Sequence, residues 1–226
     1  MLFYDPTFII LIPALLLALW AQLMVQSNFS RYSQVKSRIG MTGAELARFI
    51  LDSAGLYNVR IEVIPGSLTD HYDPREKVVR LSQATYGSDS IAALGVVAHE
   101  IGHAIQHASN YVPIVIRNAI APVASFSSNL AWIFFIIGLV TGAIGLARFG
   151  ILLFLAVVLF SIITLPVEFD ASRRAMKILE RNLMMPKDEL KGVRAVLSSA
   201  AMTYVAATLM AILQLLRMIL ITRSRD

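Results

Sequence analysis

A chain of 226 residues that is 57% hydrophobic and 15% charged, with a mean hydropathy of +0.67, carries more apolar surface than a single core can hide; soluble domains are usually about 25% charged. This composition excludes an ordinary soluble protein and points to one that sits in a bilayer. The absence of cysteine excludes disulfides, thiolate metal sites and a cysteine nucleophile, and the net charge of +5 lies beside apolar runs, which argues for membrane-flank charge and against nucleic acid.

The first element in the chain is an uncharged window of 19 residues, Thr7 to Val25. About 20 apolar residues cross the hydrocarbon layer as a helix. The preceding MLFYDP has no basic region and AQLMVQS is a poor cleavage site, so this window is expected to be a retained anchor rather than a signal peptide. TGAE at 42–45 has the form of a capping box, ARFILDSAGL continues with helical spacing, and Gly55 ends it. YNVRIEVI (57–64) alternates and is β-branched, which predicts a strand followed by a Pro65-Gly66 turn. LTDHYDPREKVVRLS is expected to be a loop and then a strand from Lys77 to Ser82, a candidate edge for pairing with an extended substrate. Ser90 is expected to cap the next helix, SIAALGVVAHEIGHAIQHA.

Three further uncharged windows follow: Asn118 to Ala147 (30 residues), Phe149 to Val167 (19) and Ala195 to Leu216 (22). The first two are separated only by Arg148 and are expected to form a helical hairpin with that residue at its tip. EFDASRRAMKILERNL is predicted to begin a helix just after Pro166, because a proline at a helix start loses nothing by lacking an N–H. Orientation follows from the flanking charges. Only Asp5 precedes the first window, whereas Arg31, Lys36 and Arg38 follow it, and seven basic residues from Arg173 to Arg194 lie between the third and fourth. The positive-inside rule puts residues 26–117 and 168–194 in the cytoplasm, with Arg223 and Arg225 running against it.

The chemistry is concentrated in VVAHEIGHAIQHA (96–108), where an apolar helix carries His99, Glu100, His103 and His107. Four residues are about 400° of helical rotation, so His99 and His103 share a face one turn apart. That spacing lets two imidazoles reach one zinc ion, while Glu100 can take a proton from a zinc-activated water without ligating the ion. Zinc needs a third protein ligand. His107 is excluded for the same ion, since it lies about 12 Å along the helix axis from His99. It is left as a residue bracing the site, a substrate-facing group or a polar helix end. His71, in TDHYDP, reads as a transition-state donor or a loop residue. Glu168 is the better third ligand: an acid at the edge of an apolar window is costly unless paired or bound to an ion. A hairpin that goes out and back would return it to the face from which the histidine helix departs.

HEIGHAIQ followed by PVEFDASRRA resembles the YugP-type bacterial neutral zinc metallopeptidases, and more distantly the HtpX and CAAX-protease class of membrane gluzincins. The resemblance runs nearly end to end. It implies Zn2+ held by His99, His103 and Glu168, with Glu100 as the catalytic general base of a peptidase acting on membrane or membrane-proximal proteins. Gluzincins often place an aspartate four residues after the ligand glutamate; here that position is Ser172, and Asp170 is the nearest acid. Residues two apart on a helix point to different sides, so either Asp170 orients a ligand imidazole through an irregular helix start or the site is braced differently. His71, Tyr72, Tyr204, Arg173 and Arg174 are candidate oxyanion donors.

The expected fold is a mostly α membrane protein with a small α+β zincin-like element, about four transmembrane helices, the HEIGH helix and a short β-sheet. The expected organisation is an anchor over 1–25, a cytoplasmic zincin-like part over 26–117, a transmembrane hairpin over 118–167, a cytoplasmic helix with the third ligand over 168–194, and a transmembrane helix and tail over 195–226. The expected protein is a multi-pass cell-membrane endopeptidase facing the cytoplasm, with a polypeptide substrate and the lipid bilayer as partners and no nucleic acid. The alternative is a non-catalytic metal-binding membrane scaffold or a protease-regulating subunit, distinguished by a closed four-ligand site.

Overall fold

The computed structural model describes residues 6–182 and 185–224. Asp5 and Arg225, two of the charges used for orientation, lie outside the described residues. The fold is mostly helical, with one small mixed sheet. A 3-10 turn (Pro6–Leu11) leads into α1 (Ile12–Ser33), followed by α2 (Gly43–Ser53), β1 (Arg60–Ile64), β2 (His71–Asp73), β3 (Val78–Ser82), a short α3 (Gln83–Tyr86), α4 (Ile91–Ala108), α5 (Val112–Thr141), α6 (Ile144–Arg181) and α7 (Lys187–Arg223).

The chain divides into two compact units. One comprises Gln22–Ile114 and Val167–Ala201, and it holds α2, the sheet and α4. Local signals set its elements. Thr42 accepts from the Glu45 backbone N–H while the Glu45 carboxylate accepts from the Thr42 N–H at 2.8 Å, so the capping box is formed. Ser90 caps α4 through the Ala93 N–H at 3.2 Å. The core gathers Leu46 and Leu51 of α2, Val79 and Leu81 of β3, Leu94, Val97 and Ile101 of α4, Leu179 of α6 and Val193 of α7. Helix α4 is thereby buried along most of its length, which makes it a rigid platform for the histidines.

The sheet order is β1-β3-β2, with β1 parallel and β2 antiparallel to β3. This corrects the expectation for Lys77 to Ser82, which is the central strand and not an edge. VVRLS is buried at four of its five positions, as fits a strand with neighbours on both sides. The edge next to the histidine helix is β2, which the sequence reading leaves as a loop because three residues are too few to show alternation.

The second unit comprises the described parts of Met1–Ala21, Val115–Pro166 and Met202–Asp226. Ala131, Phe135, Ala147, Phe154, Val158 and Met218 form its core. Phe8, Leu16, Phe126, Ile136, Val140 and Leu152 are exposed, the pattern of a bundle whose outer surface meets lipid. Among the described residues four helices are long and apolar enough to cross a membrane: Thr7–Ser33, Val112–Thr141, Ile144–Arg181 and Lys187–Arg223. At 1.5 Å per residue α6 is about 57 Å long against a hydrocarbon layer of about 30 Å. Its C-terminal part therefore extends well beyond any single crossing.

Two boundaries differ from expectation. The break between the second and third windows falls at Gly142, whose φ of +73° suits glycine, and Arg148 lies inside α6 rather than at a tip. An arginine does not stop a helix; a left-handed glycine does. Likewise Pro166 starts no helix. Helix α6 runs straight through it, although an internal proline costs about 3 kcal/mol. Burial on either side holds the helix together, with Phe154 and Val158 before it and Ala171, Ala175 and Leu179 after it.

Candidate metal centre

His99 and His103 project from the same face of α4, their rings 4.8 Å apart and nearly perpendicular. Opposite them on α6 is the carboxylate of Glu168, a residue only 4% exposed. Its Oε2 lies 3.4 Å from His99 Nε2 and 3.6 Å from His103 Nε2. The three side chains offer one ligand atom each, all within 4.8 Å of one another. Two atoms bound at 2.0–2.2 Å to one tetrahedral centre are about 3.4 Å apart, so the donor set has the spacing zinc requires.

The close approach of α4 and α6 explains how a carboxylate 65 positions away reaches the histidines. Gly102, inside the HEIGH motif, faces the α6 backbone, and a Cβ there would lie 2.8 Å from the Ala171 carbonyl oxygen. No other residue type permits that contact without shifting a helix.

Both imidazoles are held from behind. His99 Nδ1 lies 3.1 Å from Ser172 Oγ, and His103 Nδ1 lies 3.0 Å from Gln106 Oε1. In each ring the remaining nitrogen, Nε2, is the one directed at Glu168. Such outer hydrogen bonds fix tautomer and ring orientation in metal sites. Ser172 thus occupies the place where gluzincins often carry an aspartate, and it contacts the imidazole directly. Asp170 touches neither histidine. It accepts from Gln106 Nε2 at 2.9 Å and from Arg174 Nε at 2.5 Å. Ser172 and Gln106 are the groups that sequence reasoning missed. Both lie at helical spacing from a ligand, Ser172 four residues after Glu168 and Gln106 three after His103, and that was the available signal.

Glu100 follows His99 and turns toward β2, where the Tyr72 backbone N–H donates to its Oε2 at 3.1 Å. Burial pushes its carboxyl above the usual range, aided by the nearby acids Glu168 and Asp70, while His99 and His103 pull the other way. Burial disfavours a charged His103, yet the facing Glu168 carboxylate, 3.6 Å away, and the charge of Glu100 hold its pKa above the ordinary value.

The other candidates are placed as follows. His71 is exposed and directs Nδ1 to its neighbour Thr69, at 2.9 Å from the carbonyl oxygen. The Tyr72 ring packs tilted against His107 at 6.1 Å, outside the three-ligand cluster. Arg173 is exposed; Arg174 lies over the Tyr111 ring at 5.5 Å. Tyr204 belongs to the other compact unit.

Known proteins resemble this chain along most of its length. The profile of the family described as "Putative neutral zinc metallopeptidase" matches residues 7–223. A protein of Bacillus subtilis (strain 168) named "Putative membrane protease YugP" is 50% identical over 210 residues, covering 93% of each chain. No solved structure matches the chain. With a family profile spanning almost its whole length and half its residues shared with that bacterial relative, the chain belongs to the neutral zinc metallopeptidase family.

Proposed function

We propose that this chain is a membrane-embedded, zinc-dependent endopeptidase that hydrolyses peptide bonds of membrane or membrane-proximal proteins. The observation that carries the reading is the convergence of His99 Nε2, His103 Nε2 and Glu168 Oε2 within 4.8 Å, with Glu100 adjacent to the first of them. Among the described residues the cluster contains three ligands, which fits a catalytic site with one open position better than a closed structural one. That count disfavours the scaffold reading. Bound there, zinc supplies a Lewis acid that polarises a carbonyl and lowers the pKa of water.

The rest is the work of the chain. His99, His103 and Glu168 hold the ion, with the Nδ1 of each imidazole anchored by Ser172 or Gln106. Glu100 takes the proton from the attacking water and returns it to the leaving amine. An extended substrate pairs with β2, the sheet edge whose Tyr72 N–H already faces Glu100. Of the oxyanion donors weighed from sequence, Tyr72 is the one whose backbone meets Glu100. We assign the parts 26–117 and 168–194 to the cytoplasmic side, with the hairpin 118–167 and the windows Thr7–Val25 and Ala195–Leu216 crossing the bilayer; the basic run from Arg173 to Arg194 supports this assignment.

The test is Glu100→Gln. The variant retains stoichiometric zinc by atomic absorption and loses cleavage of casein or of a membrane-protein substrate. A variant that cuts as fast as the unmodified enzyme sinks the mechanism.

A further inference from the structure

The geometry points to Gln106 as a positioning residue that fixes the ligand tautomer of His103, with Asp170 and Arg174 setting the orientation of the Gln106 amide in turn. The inference rests on the zinc reading above and concerns side chains that touch neither ion nor substrate.

Gln106 is wholly buried, on α4, three residues after His103. Its Nε2 donates to the Val167 carbonyl and to Asp170 Oδ2, both at 2.9 Å. An amide nitrogen has two hydrogens, and neither a carbonyl nor a carboxylate can donate. Both hydrogens are therefore committed, and the amide has one orientation. Its oxygen is left facing His103 Nδ1 at 3.0 Å. An amide oxygen only accepts, so Nδ1 must carry the proton, and in the neutral ring that leaves the lone pair on Nε2. That nitrogen is 3.6 Å from Glu168 Oε2. A flipped amide would set its oxygen against two acceptors, losing both of those bonds in a buried place, and would offer its NH2 to Nδ1, which suits only the tautomer with its proton on Nε2.

Asp170 explains why the flip does not happen. It is two residues past Glu168, on a different side of α6, and reaches His103 only from behind. Arg174, one turn further along α6, donates to the same Oδ2 that Gln106 uses, at 2.5 Å. The guanidinium also sits over the Tyr111 ring. The charged acceptor is thereby fixed in place, and the chain of contacts runs Tyr111, Arg174, Asp170, Gln106, His103. His99 is braced differently, by Ser172. The two ligand imidazoles are thus oriented by separate devices, one of them absent from the usual glutamate-plus-four spacing.

The experiment uses the full chain in detergent micelles, with zinc affinity read by competition against a chelating indicator and with the visible absorption of the cobalt-loaded protein. Gln106→Leu lowers zinc affinity by about 10–100-fold and alters the cobalt spectrum. Gln106→Glu does the same, because its carboxylate faces Asp170 and the Val167 carbonyl with nothing to donate. Asp170→Ala leaves Gln106 in place but removes the carboxylate that fixes its amide, and it lowers zinc affinity in the same direction. A purely structural Gln106 predicts lowered thermal stability with unchanged zinc affinity and spectrum, and that result overturns the inference. If Gln106→Leu does not fold, Asp170→Ala decides: unchanged zinc affinity and an unchanged cobalt spectrum overturn it. An unmodified chain that takes up no zinc overturns the parent reading as well; normal uptake with indifferent Gln106 variants overturns this one alone.

Discussion

Gly102→Ala tests the helix contact on which the metal centre depends. The added Cβ would stand 2.8 Å from the Ala171 carbonyl oxygen and 3.2 Å from its Cα, whereas ordinary contacts begin at 3.4 Å. Both partners are helix backbone, so neither can swing aside as a flexible side chain would. The helices α4 and α6 must part by about 0.6 Å, and Glu168, one turn before Ala171, moves with α6. Metal sites tolerate errors of about 0.2 Å in ligand distance, so the displacement is roughly three times what the site accepts. Stability should change less. Overpacking costs about 1–3 kcal/mol, and replacing a mid-helix glycine by alanine returns about 1 kcal/mol. The net loss is about 0–2 kcal/mol. The expected outcome is a folded protein whose zinc affinity, read by chelator competition, falls at least about tenfold. Gly87→Ala is the control, since nothing lies within 4 Å of a Cβ placed there. If Gly102→Ala binds zinc as tightly as Gly87→Ala, the close approach is not what positions Glu168.

The capping box and the surface carboxylates give two further outcomes. Thr42→Ala removes the side-chain acceptor for the Glu45 N–H and should cost about 1 kcal/mol in denaturant or thermal unfolding, with zinc content unchanged; a loss of metal would mean that α2 is coupled to the site. Acid should weaken the unit that holds the site. Asp73 is held below the usual carboxylate range chiefly by the Arg75 N–H, Glu45 by the Thr42 N–H and Asp89 by Lys36. Their folded values are depressed, so their contribution is complete above the unfolded values near about 4 and is lost as pH falls through the folded values. Thermal stability from this source is therefore flat between about pH 5 and 8 and declines below about pH 4; a decline already complete at pH 5 would contradict it.

How much of this was legible in the sequence depended on range. The capping box at Thr42 and Glu45, the Ser90 cap, the Gly55 stop and the shared face of His99 and His103 each depend on residues within one or two helical turns, where the backbone geometry is fixed by local rules. The four apolar windows were equally plain, because bilayer thickness sets a length that can be counted. Glu168 was chosen from sequence for its awkward position at the edge of an apolar run. Its distance of 3.4 and 3.6 Å from the two imidazoles is a tertiary fact.

The remaining features were decided between segments. Strand order put Val78–Ser82 in the middle and gave His71–Asp73 the edge, because pairing partners lie many residues apart and the hydrophobic pattern of a single strand does not name them. Burial on both sides carried α6 through Pro166 against the local preference. The bracing of the histidines was divided between Ser172 and the Gln106–Asp170 pair only once Gly102 let two helix backbones meet. Amino-acid spacing determines which side chains share a face of one helix. Which faces touch, and with what separation, is set by the packing of residues far apart in the chain.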